Sequence, residues 1–250
     1  MRQTIFKNTV LYLGIAFYSL STFAIMPALA GLKNDDRGEF PGERVGGGTR
    51  GGRCESSGPQ LVALNPKNNL GVTARKQPLL YIAVPELERP YPAQFLVLDA
   101  NRDITYETTV EVGRNREFVG ILLPENTLKI GQDYTWEFVI PCDFYKDPDE
   151  SNGESTDIFV HGSLRQVLPE TPVAEGLTVE EYLALVQFYQ DAGLWSDAVA
   201  TVLKLRQNYP NSDRVLAQWR QVLLALDFSA YEGLLEKLLE IPVSQLQVSE

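Results

Sequence analysis

Residues Ile104–Val112 read ITYETTVEV, and their alternation decides the fold class. Ile104, Tyr106, Thr108, Val110 and Val112 fall on one face of an extended chain, and Thr105, Glu107, Thr109 and Glu111 on the other. Such a strand must hide one face against a second layer. The stretch 134–140 repeats the pattern, with Tyr134, Trp136, Phe138 and Ile140 on its inner side. Outward from these two, short apolar runs recur at 60–64, 79–84, 94–99, 118–123 and 158–167, split by Pro, Gly, Asn and Asp. Seven one-sided strands in roughly 110 residues predict a two-sheet β-sandwich over residues 58–168.

The spacing Leu128-x-x-Gly131-x-x-Tyr134-x-Trp136 sets a turn glycine ahead of a strand that opens on tyrosine. Immunoglobulin-like sandwiches place a tyrosine there whose hydroxyl bonds back across the corner, so an immunoglobulin-like arrangement is expected. On that reading Trp136 is a core residue and not a platform for a sugar ring.

Beyond Val167 the apolar period lengthens to between three and four, after a linker at 169–177 that contains Pro169 and Pro172. Residues 178–250 then read as helical hairpins. Thr178 and Glu181 form a capping box ahead of an apolar stripe of Tyr182, Leu185, Val186 and Tyr189. Ser196 is placed to cap a second helix ending near Pro210, Ser212 a third bearing Val215, Trp219 and Val222, and Ser229 with Glu232 a fourth bearing Leu234, Leu235, Leu238 and Leu239. The first pair resembles a tetratricopeptide repeat in Leu185, Tyr189, Gly193, Ala198 and Pro210, although Val202 and Leu205 replace the usual aromatic and small residues. One such unit cannot bury a continuous core. The helices must therefore lean on the sandwich, on a second copy, or on a partner.

The first 30 residues read as an export signal. Arg2 and Lys7 precede an apolar run from Val10 to Phe23 and then Ala28-Leu29-Ala30, which places cleavage after Ala30. That run spans about 21 Å as a helix, short of a hydrocarbon core of roughly 30 Å. No cysteine stands at the cut for a lipid anchor. Cleavage removes both methionines and moves the formal net charge of −11 two units further negative. The expected location is the periplasm or the cell surface, with no stable membrane insertion. In such an oxidising compartment Cys54 and Cys142 are expected to form a disulfide. It would close a loop of about 90 residues, worth on the order of 4–5 kcal/mol by chain entropy. The rival reading, a nucleophilic cysteine paired with His161, needs an activating environment that nothing in the sequence indicates.

Residues 31–57 carry five acidic and five basic side chains and little apolar content, so most of this Gly-rich segment is expected to be flexible. Its run from Gly46 to Arg53 lacks the lysine and following helix of a phosphate-binding loop.

Thirty-three acidic against 22 basic side chains argue against a nucleic-acid binder, and a single histidine and two cysteines against histidine- or cysteine-built metal and haem centres. The acidic stretch 143–157 offers Asp147, Asp149, Glu150, Glu154 and Asp157 as oxygens for calcium. It fails the EF-hand pattern, because Asn152 stands where that loop needs glycine. It reads as a solvated loop. His161 lies in a strand beside Ser163 and Arg165, with no G-x-S-x-G elbow in the chain, and reads as an exposed strand residue. Paired carboxylates for glycoside hydrolysis remain open, since many acids allow many pairs in space. No catalytic residue, metal ligand or cofactor site is assigned.

Taken together, Gly48 to Cys54, Leu61 to Pro66, Leu70 to Thr73, Pro78 to Pro85, Tyr134 to Phe138 with Cys142-Asp143, and Tyr189 with Gly193 to Ala198 carry a resemblance over about residues 45–240. The chain resembles the cyanobacterial DUF928 family, a domain of unknown function. The resemblance implies an exported envelope protein with no assigned catalytic residues. Three functions are carried forward: a non-enzymatic protein-protein interaction module, which is the expectation; a carbohydrate or cell-wall binding module, by fold analogy; and an enzyme of unrecognised type. Residues 169–250 hold 12 acidic side chains against five basic, which favours a neutral or basic envelope protein as partner over an anionic membrane.

Overall fold

The computed structural model describes residues 42–48, 54, 60–142, 157–168, 176–243 and 247–249. Ala30 and the rest of the leader, most of the Gly-rich segment, the acidic stretch up to residue 156 and most of the linker lie outside the described residues.

Among the described residues, ten strands and four helices follow in chain order. The strands are β1 (Gly47–Gly48), β2 (Val62–Ala63), β3 (Leu70–Thr73), β4 (Leu79–Val84), β5 (Tyr91–Leu98), β6 (Ile104–Val112), β7 (Glu117–Leu122), β8 (Asp133–Ile140), β9 (Ile158–Gln166) and, after the helices, β10 (Gln247–Ser249). The helices are α1 (Val179–Asp191), α2 (Trp195–Asn208), α3 (Asp213–Leu226) and α4 (Leu234–Glu240). All seven strands read from the sequence are present; β1, β3 and β10 are additional.

The strands form two sheets. One runs β1-β9-β8-β5-β6, with β3 lying parallel against the far part of β9; the other runs β10-β7-β4-β2. Between them lies a core of Ile82, Val119 and Ile121 from the smaller sheet and Phe95, Trp136, Phe138 and Leu164 from the larger. Phe95 and Trp136 stack there with centroids 5.8 Å apart, which is the core role expected of Trp136. The corner ahead of β8 also forms as expected: Gly131 turns at φ +78°, and the Tyr134 hydroxyl accepts the Lys129 N–H at 3.1 Å.

Strand β6 departs from its expected alternation at one end. Val110 and Val112 are buried and Tyr106 packs on the core, but Ile104 is 56% exposed. β6 is an edge strand, and its pairing with β5 shifts register at Val97/Leu98, so its first residues run out of cover.

The smaller sheet is apolar on both faces. Val62, Tyr81, Ala83 and Phe118 point away from the sandwich core and meet Val199, Leu203, Trp219, Val222 and Leu238 in a second core. The helices therefore lean on the sandwich, giving three layers: sheet, sheet, helices. Phe118 meets Trp219 edge to face at 5.6 Å.

Two helix starts match the sequence and two do not. Thr178 caps α1 in a complete capping box with Glu181, and the Ser212 hydroxyl accepts the Val215 N–H of α3. Ser196 sits buried in the first turn of α2, whose cap residue is Leu194. Ser229 caps nothing either: its hydroxyl donates to Asp227, and α4 starts five residues later after Gly233.

Residues 42–48 lie along the mouth of the sandwich and touch both sheets. Gly46 N–H donates to Leu61 and Arg44 accepts from Ala63 on the smaller sheet, while Glu43 accepts the His161 N–H and Gly47–Gly48 pair with β9 on the larger. The composition of the segment gave no sign of this, because the pairing uses backbone groups; Arg44 and Val45 are buried with it.

Candidate functional site

Helix α3 presents two stripes. Val215, Trp219, Val222 and Leu226 face the second core, whereas Leu216, Arg220 and Leu224, spaced by four, line the outside. The helix ends at Asp227, a non-glycine residue held at φ 57°. Its left-handed backbone is secured by several contacts. Its carboxylate accepts the Ser229 hydroxyl at 2.5 Å and the Ser229 N–H at 3.2 Å, and lies 3.4 Å from the Lys67 ammonium. The Ser229 bonds, then Lys67, hold this carboxyl below the usual aspartate range.

Arg44, from the mouth segment, reaches the same point. It donates to the Leu226 carbonyl at 2.8 Å and the Asp227 carbonyl at 2.9 Å, and to Asn65 at 3.0 Å, with its guanidinium 4.8 Å above the Phe228 ring. These bonds satisfy carbonyls that the end of a helix leaves without intrahelical partners.

The chain then turns through Phe228–Gly233 into α4, and two clefts open on either side of Tyr231 and Glu232. The first, about 260 Å³, has Leu223, Phe228 and Leu235 beneath and Asp227, Glu232 and Glu236 around it. The second, about 420 Å³, runs past Leu234 and Lys237 to Gln60. Leu224 and Tyr231 beside them are 56% and 37% exposed.

A second polar cluster lies under α2. Asp197, 1% exposed, accepts the Thr73 hydroxyl at 2.6 Å and the Ala74 N–H at 2.8 Å, and the Arg75 guanidinium lies 3.4 Å away. Arg75 also donates to the Thr201 hydroxyl, which donates to the Asp197 carbonyl. Burial pushes the Asp197 carboxyl above the usual range, outweighing the bonds from Thr73 and Ala74 and the charge of Arg75. Two stretches that carry the family resemblance, Leu70 to Thr73 and Gly193 to Ala198, meet here and tie α2 to β3. The cluster lines neither cleft.

Cys54 and Cys142 stand at disulfide distance, with Cα atoms 4.8 Å apart in the sandwich core. His161 lies half-buried on the outer face of the larger sheet, opposite Glu137 on β8, with its ring centroid 5.9 Å from that of Phe159. Ser163, expected on an open polar face, is buried instead, since β3 and Asn69 cover that end of β9. Arg165 pairs with Asp133 at 2.5 Å. Ala30 and four of the five acids weighed for calcium, Asp147, Asp149, Glu150 and Glu154, lie outside the described residues; Asp157 is half-buried at the start of β9. Among the described residues no cluster of three His, Cys, Asp or Glu side chains is placed to hold a metal ion. Nor is any helix among them long and apolar enough to cross a membrane.

Sequence reasoning missed Leu224, Tyr231, Arg44 and Asp197. A signal existed for Leu224, which with Leu216 falls on the face of α3 opposite Trp219. Arg44 left none, because its partners at the end of α3, Leu226 and Asp227, stand more than 180 residues away.

No curated protein and no solved structure matches the chain. The family model described as Domain of Unknown Function (DUF928) matches residues 45–233, from the mouth segment to the turn before α4, and the chain belongs to that family.

Proposed function

We propose that the protein is exported, loses residues 1–30 after Ala30, and works in the periplasm or at the cell surface as a non-enzymatic module that binds another protein through its helical layer. The observation that carries this reading is the exposure of Leu224 and Tyr231 beside two adjoining clefts. The leader and a Cys54–Cys142 bridge in an oxidising compartment support the location. We read the sandwich as immunoglobulin-like on its tyrosine corner, and α1–α2 as tetratricopeptide-like on the Gly193 turn and the buried Ala198. The parallel strands β3 and β10 depart from the simplest immunoglobulin plan.

The carbohydrate-binding alternative calls for a row of exposed aromatic rings, but Trp136 and Trp219 are both buried. The buried Asp197 has its oxygens engaged by Thr73, Ala74 and Arg75, an arrangement suited to joining layers. Affinity capture from envelope extract with the chain lacking residues 1–30, run beside a polysaccharide-binding screen, tests the reading. Retention of a protein lost on Leu224→Ser supports it; glycan binding without protein capture overturns it.

A further inference from the structure

We propose that the cleft between α3 and α4 takes a linear segment of another protein in which an apolar anchor is flanked by lysine or arginine. This rests on the protein-binding reading above and gives the partner its chemistry. The base of the cleft, Leu223, Phe228 and Leu235, offers an anchor only apolar surface. At about 260 Å³ it falls below the roughly 300–1,000 Å³ of small-molecule sites, so it suits one inserted side chain of a larger partner. Leu224 and Tyr231 stand exposed at its margin, and tyrosine is among the residues that most often dominate binding energy.

The charge around that apolar base selects the flanks. Asp227, Glu232 and Glu236 surround it, with Lys237 as the basic side chain of the adjoining cleft. Asp227 is held ionised beside Lys67, and Glu236 lies 3.9 Å from Arg220, so each already faces one cation. Glu232 has no ion pair among the described residues and is open to a cation from outside. A second copy of this chain is the wrong occupant, because it would bring the same three carboxylates against themselves in a region of 12 acids and five bases. Anionic lipid or polysaccharide meets the same repulsion.

The probe is an array of short peptides carrying Leu, Phe or Tyr flanked by Lys-Arg, Ser or Glu, titrated by fluorescence anisotropy against the chain lacking residues 1–30. Basic-flanked peptides are expected to bind at least tenfold more tightly than Glu-flanked ones, with the difference shrinking as salt is raised. Tyr231→Ala and Leu224→Ser should each weaken binding tenfold or more. Glu232→Lys, an exposed change that spares the fold, should abolish the preference for basic flanks. Leu216→Ser, on the same helix face two turns away, should leave binding unchanged. Equal binding of basic and acidic peptides, indifference to Glu232→Lys, or a dimer in sedimentation that Leu224→Ser dissolves would each overturn the proposal. If envelope capture survives Leu224→Ser and Glu232→Lys together, the protein-binding function stands and this cleft is the wrong place for it.

Discussion

Replacing Asp197 by alanine strands three donors at once: the Thr73 hydroxyl, the Ala74 N–H and the Arg75 guanidinium. The Arg75 side chain keeps partial access to water, which limits the loss, and we expect a cost of about 2–3 kcal/mol in urea unfolding. The pH dependence runs the other way from that of most aspartates. Because burial raises its folded pKa, the folded state holds the Asp197 proton more tightly than the unfolded chain does. Its contribution to stability is complete below the ordinary value of 3.8 and is lost as pH rises through the folded value. Wild type should therefore lose stability relative to Asp197→Asn between acid pH and neutrality, which paired urea titrations will show. Gly162 is a second sensitive position. A methyl group there would press on the Asn65 and Asn69 amides and come within 3.1 Å of the Trp136 ring. Gly162→Ala should lower the urea midpoint, whereas alanine at the open Gly176 should cost far less, its positive φ being the main penalty. Neither Asp197 nor Gly162 stood out in the sequence, because what makes each sensitive comes from loops and strands distant along the chain.

At the scale of elements, the Cys54–Cys142 pair links the approach to β2 with the end of β8, across a separation of 88 residues. Cys54→Ser with Cys142→Ser should lower the unfolding free energy by about 2–4 kcal/mol, and reductant should do the same to wild type alone. Non-reducing mass spectrometry that finds both thiols free would remove the basis for this expectation. The strands that sequence made legible are those with their own alternation or apolar run, such as β6 and β8. β3 escaped because four residues, one of them Gly71, carry too little pattern, and its parallel pairing with β9 is decided some 90 residues downstream. α4 was legible in its leucines but not in its start, because Ser229 satisfies Asp227 in place of a helix N–H. The cleft exists because of that choice: a helix starting at Ser229 would have consumed the turn that exposes Tyr231.

At the scale of the molecule, the period-two and period-four patterns announced sheets and helices but not that they share a core. β4 and β7 held the clue, since LLYIAV and EFVGIL are apolar at almost every position, the mark of a strand covered on both sides. A chain ending at residue 168 would expose Val62, Tyr81, Ala83 and Phe118 together. We expect it to aggregate or unfold under conditions where the full chain stays folded, as light scattering and a urea transition will report. The mouth segment makes the same point about time. Arg44 is made early in synthesis, yet its acceptors Leu226 and Asp227 follow more than 180 residues later. A growing chain therefore holds the mouth segment by its backbone bonds to both sheets, and fastens the Arg44 guanidinium to the helical layer only when α3 has emerged. Docking of the helical layer is then the late event, so a truncated or stalled product is born with the apolar outer face of its smaller sheet presented to proteases and to other chains.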